Sequence, residues 1–234
     1  MLSYENKYFK LGYKNILGGD EAGRGPLAGP ISVGVVLVNQ KELQWLKRDL
    51  KNLKIRDSKK LSPKQRAIVF EKIITLPYLR YACAFKSNKV IDKFGIEEAT
   101  RRAFDKCLLK LKNKPDIVLY DGNRPVDKKL STKQIPIIKG DDKVFIISLA
   151  SIIAKVTRDR YMITAAKKYP KYGFEIHKGY GTRKHMEAIK EYGLSGMHRR
   201  SYCENLKFKV YGSASSSQES LNSSQGIQIN CNKK

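Results

Sequence analysis

The run Ile31–Val38 (ISVGVVLV) constrains the fold more than any other stretch of the chain. It is short, mostly apolar and rich in β-branched residues, so it reads as a strand with Gly34 inside it. Ile16–Asp20 reads as the strand before it, and the glycine-rich segment between them as the turn. Further strands are expected at 79–87, at Ile117–Tyr120 ending on Asp121, and around Ile135, Ile137 and Ile138. Pro136 in the last of these points to a sheet edge or a strand start. Helical spacing falls between the strands. Ile96, Ala99, Ala103, Cys107 and Leu111 share one face of a helix over 96–111. Ser62 and Pro63 supply an N-cap and a first-turn proline for a helix over 63–75. The stretch 145–168 reads as a long helix ended by Pro170, and one more helix is expected near 182–192. Strands alternating with helices indicate an α/β core. No repeat is present at a solenoid period.

At 234 residues the chain is long enough to bury a proper core without disulfides or a structural metal. Four parts are expected: a lead-in over 1–15, an α/β domain over 16–172, a small helical segment over 173–211, and a disordered tail over 212–234. The tail expectation rests on its seven serines and few large apolar residues.

Charge narrows the partners. Lys and Arg number 47 against 22 Asp and Glu, a net +25. The tail holds about +1 of it (Lys233 and Lys234 against Glu219), which leaves +24 on residues 1–211. Such a surplus repels itself and calls for a polyanionic partner, of which nucleic acid is the commonest. A lysine-rich coat of solvated faces is the plainer alternative. Cys83, Cys107, Cys203 and Cys231 form no C-x-x-C pair, so neither a zinc site nor a disulfide framework is expected. The start has no apolar signal core, and no stretch approaches the ~18 apolar residues of a membrane span. The cytoplasm is the expected compartment, with no membrane partner.

Within a basic chain, clustered acids stand out. Asp20-Glu21 follows an apolar strand and precedes a glycine-rich turn, and at a strand end both carboxylates can approach one cation. Asp121 ends the Ile117–Tyr120 strand, and sites in open α/β sheets form at the carboxyl ends of strands. Asp141-Asp142 precede the long helix. Each has a structural alternative: a solvated turn for the first pair, an Asp-Gly turn for Asp121, and an N-cap for Asp141 or Asp142. Together, hard oxygen donors in a basic protein suit Mg²⁺ or Mn²⁺, with Lys and Arg holding phosphates. Gly23-Arg24-Gly25 lets backbone come close to a ligand, close enough to read a 2′-hydroxyl. Tyr180, between Gly179 and Gly181, can stack on a sugar or base or can pack inward. Lys59 and Lys60 are a candidate phosphate-facing pair, and Lys178 a candidate substrate contact. His198-Arg199-Arg200 is a basic turn that either meets phosphates or packs against the core.

Five blocks carry a resemblance to a known family. They are GGDEAGRGPLAGP (18–30), DSKKLS (57–62), YDG (120–122), GDDK…SLASIIAKVTRDRYM (140–162) and YPKYGFEIHKGYGTRKH…HRRSY (169–202). In this order they closely resemble ribonuclease HII, over roughly residues 14–202. The resemblance implies a ribonuclease H-like fold: a mixed sheet flanked by helices, with a small C-terminal helical segment. It implies a four-acid catalytic and metal site of Asp20, Glu21, Asp121 and Asp141, served by two Mn²⁺ or Mg²⁺ ions. It assigns Gly23, Arg24 and Gly25 to the 2′-hydroxyl and Tyr180 to the RNA-to-DNA junction. The implied substrates are RNA–DNA hybrids and duplex DNA carrying single ribonucleotides, cut on the 5′ side to leave a 3′-hydroxyl and a 5′-phosphate. Asp142 stands where the family commonly has a small residue. A hybrid-only nuclease of the ribonuclease HIII kind and a hybrid-binding protein without chemistry are the competing readings. A monomer is expected, and a contact of the tail with the replication clamp stays open.

Overall fold

The structure is a computed structural model that describes residues 3–53, 55, 61–111, 113–127, 130–204, 206–207 and 228–229. In chain order the elements begin with α1 (Ser3–Lys10), β1 (Ile16–Ala22), β2 (Ile31–Val38), α2 (Gln40–Asp49), α3 (Pro63–Ile74), β3 (Arg80–Lys86) and α4 (Asn88–Lys110). Next come β4 (Ile117–Asp121), β5 (Lys133–Ile137), α5 (Gly140–Lys143), α6 (Phe145–Lys168), α7 (Phe174–His177), α8 (Arg183–Tyr192) and α9 (Arg200–Cys203). The short strands β6 (Leu206–Lys207) and β7 (Gln228–Ile229) pair antiparallel with each other. The rest of the serine-rich tail lies outside the described residues.

Five strands form one mixed sheet in the order β3-β2-β1-β4-β5. The β1–β2 and β2–β3 pairs are antiparallel, while β1–β4 and β4–β5 are parallel. This is the α/β class expected, with helices on both faces. Strand alternation divides the core in two. Ile16, Val36, Ile117 and Leu119 pack with α6 and the N-terminal helices on one face. Leu17, Val35, Leu37, Val118 and Tyr120 pack with Phe104 and Cys107 of α4 on the other. Every residue of β2 is buried, as a strand covered on both faces requires.

Two glycines set the depth at which α6 lies on the sheet. A Cβ on Gly34 would stand 2.3 Å from the Ala150 carbonyl oxygen, and one on Gly18 would stand 2.7 Å from the Ile146 carbonyl carbon. The helix therefore rests on bare strand backbone, which carries its next polar residues to the strand ends.

Local signals explain the helix starts. Ser62 and Gln65 form a reciprocal capping box on α3, with Pro63 in the first turn. Asn39 and Glu42 do the same for α2, a helix not among those expected from the sequence. The expected helix over 96–111 is the second half of α4, which begins at Asn88 and is interrupted at Gly95 (φ +79°). The lead-in is ordered as well: α1 buries Glu5, whose Oε1 accepts from the Ile146 amide at 3.1 Å. A carboxylate from the start of the chain thus serves the N-terminus of α6. The capping alternative for Asp141 and Asp142 is overturned, because Val144 holds the cap position of α6 and Lys139 that of α5. Among the described residues, no helix is long and apolar enough to cross a membrane.

Candidate active site and its supporting loop

Strand β1 runs two residues past its expected end and carries both acids within it. Asp20 follows Ile16 and Gly18 on the face toward α6, where the Ser151 side chain bonds to it. Glu21 follows Leu17 and Gly19 on the opposite face, beside the Tyr120 hydroxyl. Asp121 ends the parallel neighbour β4, one residue beyond the Gly19–Tyr120 register pair. It is anchored by the Gly140 amide, which donates to its Oδ1 at 2.7 Å.

These three acids open into one cleft of about 460 Å³ at the end of the sheet. Gly23, Arg24, Gly25, Arg66, Ser151, Lys155 and Tyr180 also line it. A second hollow of about 250 Å³ shares Glu21, Arg24 and Asp121 and continues over Glu97, Asn123 and Arg124. At its rim Glu97 bonds both Arg24 and Arg124.

Charge crowding dominates the electrostatics. Burial pushes the Asp20 carboxyl well above the usual range, and the negative charges of Glu21 and Asp121 push the same way. Burial also raises Glu21, against the pull of the Arg24 guanidinium. Among the described residues, no three or more His, Cys, Asp or Glu side chains converge closely enough to hold a metal ion by themselves.

The remaining candidates divide. Asp141 is fully buried in α5 and lines neither hollow, although it adjoins the Gly140 amide that holds Asp121. Lys178 turns its ammonium onto the Glu175 and Ile176 carbonyls, away from the cleft. Lys59 and Lys60 lie outside the described residues. Tyr180 is 42% exposed, with the Lys155 ammonium 5.6 Å and the Arg158 guanidinium 5.8 Å from its ring centre. The residue-by-residue reading missed Ser151, Lys155 and Arg66. Ser151 and Lys155 had a visible signal: two polar residues at i, i+4 within the mostly apolar first half of α6.

A family profile for Ribonuclease HII matches residues 17–205, from the first core strand through the last helix. The chain belongs to the ribonuclease HII family. A ribonuclease HII of Endomicrobium trichonymphae is 45% identical over 202 residues, which are 86% of this chain and 91% of the relative. One of Caldicellulosiruptor bescii is 43% identical over 212 residues, 88% of this chain and 98% of the relative. The crystal structure of ribonuclease H2 from Pyrococcus horikoshii OT3 superposes with a TM-score of 0.66 at 32% identity, covering 80% of this chain and 93% of that one. The chain is accordingly a ribonuclease H, a hydrolase that acts as an endonuclease on RNA–DNA hybrids.

The cleft wall rests on the C-terminal segment. The Leu27 amide donates to the Gly179 carbonyl at 2.9 Å, and the Gly29 amide to the Met197 carbonyl at 2.9 Å. Beneath them lie all three histidines of the chain. His185 Nδ1 donates to the Tyr180 carbonyl at 2.9 Å, and its Nε2 accepts from His198 Nε2 at 3.1 Å. His198 Nδ1 accepts from the Ser195 amide at 2.8 Å, and His177 Nδ1 accepts from the Gly179 amide at 3.2 Å. These bonds require neutral rings, one tautomer each.

Burial pulls His185 and His198 down to about 4, against about 6.5 for an unfolded histidine. The unfolded chain therefore binds more protons than the folded one below pH 6.5, and stability falls as the pH drops from about 6.5 toward 4. The loss is expected to reach about 3 kcal/mol for the first of the two rings to be protonated. His198→Asn keeps an acceptor for the Ser195 amide and does not titrate. Wild-type protein should lose ground to this variant in melting temperature between pH 6.5 and 4. Parallel curves for the two proteins would remove the neutral-ring network as the cause.

Proposed function

We propose that the chain cuts the RNA strand of RNA–DNA hybrids and also cuts 5′ of single ribonucleotides embedded in duplex DNA. The products are a 3′-hydroxyl and a 5′-phosphate, and the biological use is ribonucleotide removal during DNA replication and repair. The observation that carries this reading is one cleft that holds Asp20, Glu21 and Asp121 together with the Gly23-Arg24-Gly25 loop and Tyr180.

The donor set fits a hard divalent cation. Buried carboxylates that repel one another gain from a shared positive charge. Mg²⁺ and Mn²⁺ take only one or two protein carboxylates and fill their shells with water and substrate phosphate. Asp20, Glu21 and Asp121, which line the cleft, would hold them, with Asp141, buried next to the Gly140 amide that anchors Asp121, as the fourth acid. When bound, a pair of such ions supplies an activated water and neutralises charge on the leaving oxygen.

The protein's own groups do the rest. Positive φ at Gly23 (+98°) turns the loop over, so that peptide groups rather than side chains meet the sugar and its 2′-hydroxyl. Arg24 and Lys155 face the phosphates flanking the cut. Tyr180 offers an exposed ring for the sugar at the junction. Water activated at the acids attacks phosphorus, and the 3′-oxygen of the upstream nucleotide leaves as a hydroxyl.

The test is a labelled DNA duplex carrying one ribonucleotide, incubated with Mg²⁺, Mn²⁺ or chelator. Metal-dependent cutting at the 5′ side of that ribonucleotide is expected. Cutting of a long hybrid but not of this duplex would leave a hybrid-only nuclease and remove the junction role of Tyr180. Binding without any cutting would sink the four-acid chemistry.

A further inference from the structure

Among the described residues two arginines are fully buried, Arg158 of α6 and Arg199 just before α9. Neither pairs with a carboxylate among the described residues. Their partners are mostly backbone carbonyls, with the Tyr202 side chain also against Arg199. Arg199 donates from Nη2 to Gly23 at 2.6 Å and to Pro30 at 3.3 Å, from Nη1 to Arg24 at 2.8 Å and from Nε to Gly29 at 3.0 Å. Arg158 donates from Nε to Pro30 at 2.9 Å, from Nη2 to Ala28 at 3.2 Å and from Nη1 to Lys178 at 3.1 Å. A Cβ on Gly23 would stand 2.1 Å from Arg158 Nε, so this loop is moulded around the guanidinium.

Burying two cations without counter-ions is costly, and an apolar pair would fill the same space at less cost. Burial and the neighbouring Arg158 charge together lower Arg199 to about 10. Six of the seven bonds go to the Gly23–Pro30 loop, and the seventh, from Arg158 to the Lys178 carbonyl, reaches the turn that carries Tyr180. Planar guanidinium forks can hold several carbonyls at fixed separation, which an ammonium cannot.

We propose that Arg158 and Arg199 are positioning residues for substrate discrimination: Arg199 fixes the shape of the Gly23–Pro30 loop, and Arg158 ties that loop to the Lys178–Tyr180 turn, so that the two act as one rigid unit. The inference rests on the reading that the loop meets the 2′-hydroxyl and Tyr180 meets the junction. The arginines set the distance between those two contacts. A substrate with a single ribonucleotide must satisfy both contacts at one position. A long hybrid offers a 2′-hydroxyl at every step and tolerates an error in their separation.

The test compares Arg199→Lys and Arg158→Lys with wild type on two substrates, a duplex with one ribonucleotide and a long RNA–DNA hybrid, well below each protein's melting temperature. Each variant is expected to lower kcat on the one-ribonucleotide duplex at least about tenfold relative to kcat on the long hybrid, since small misplacements cost that much or more. KM should change little, because exposed phosphate contacts are untouched. An equal loss on both substrates would show a merely structural role and overturn the proposal. Should either variant fail to fold, amide hydrogen exchange on wild-type protein decides. The Leu27, Gly29 and Arg199 amides, which bond to Gly179, Met197 and Leu27 carbonyls, should share one protection factor if the unit opens as a whole. Widely different factors would refute it. If wild type does not cut the one-ribonucleotide duplex at all, the functional reading fails and takes the inference with it, a result distinct from an unchanged substrate ratio.

Discussion

Asp20→Asn is expected to lower cleavage by roughly 10³-fold, equivalent to about 4 kcal/mol of lost transition-state stabilisation, while raising the melting temperature in chelator. The two effects share one cause. Asp20 is buried beside Glu21 and Asp121, and all three influences push its proton affinity up. Its folded form therefore binds protons more tightly than the unfolded chain does. The sign follows: the folded state loses stability as pH rises from the unfolded carboxyl value of about 3.9 through the raised folded value. At neutral pH the charge costs stability, and a neutral amide of the same shape removes that cost. The asparagine Oδ1 can still accept the Glu21 amide bond, seen at 2.7 Å, so the strand end keeps its geometry. Divalent metal should raise the melting temperature of wild type and do so less for the variant, because binding to the folded state alone stabilises it. Cleavage assays and melting curves, each with Mn²⁺ and with chelator, check both parts. A variant that cuts at the wild-type rate would remove Asp20 from the chemistry. A lower melting temperature in chelator would remove the charge-crowding account.

The second large effect is on stability. Gly34→Ala is expected to destabilise the fold by about 3 kcal/mol, toward the upper end of overpacking costs, and to lower the melting temperature by roughly 6–12 °C. The new methyl would stand 2.3 Å from the Ala150 carbonyl oxygen and 2.8 Å from the Ala154 amide nitrogen. Both are helix backbone, which cannot swing aside as a flexible side chain can, so α6 must lift. Gly34 is also the register partner of Asp20 across β1–β2. A lifted α6 withdraws Ser151 and Lys155 from the cleft, and activity should fall even at temperatures where the variant is folded. Gly25→Ala is the contrast: nothing lies within 4 Å of its Cβ, and its stability should stay close to wild type. Urea titrations of the two variants measure the difference. Equal midpoints would show that the helix does not rest on the strand as described.

Much of this molecule is written locally. The apolar run at 31–38 has one sensible form, a strand, because it is too short for a buried helix and rich in β-branched residues. Ser62 and Pro63 mark a helix start within four residues. The clustered acids and basic composition pointed to metal-dependent chemistry on nucleic acid, the five motif blocks carried the resemblance to the family, and the family profile bears that resemblance out. The sequence reading passed over helix α2, although its Asn39–Glu42 capping box and the buried Leu43, Leu46 and Leu50 at i, i+3 and i+7 were a local signal for it. It also missed α1, which is ordered by tertiary contact, with Glu5 bonded to an amide 141 positions away.

The site divides along the same line. Residue types at the ends of β1 and β4 could be picked out as chemistry in waiting, because a carboxylate is costly wherever it is buried and a strand end beside a glycine turn is a usual place for it. Their faces could not be assigned. Only the extension of β1 to Ala22 puts Asp20 toward α6 and Glu21 toward Tyr120. Arg199 is the sharpest case. In the chain it belongs to a basic turn with two equal readings, phosphate contact or core packing. Its side chain bonds to carbonyls as many as 176 positions away, and those partners bury it completely. A sequence states which groups carry charge and hydrogen-bonding capacity. Whether such a group faces solvent, a phosphate or another loop's carbonyls depends on which distant segments the packed sheet and helices bring against it, and that is decided only in the tertiary structure.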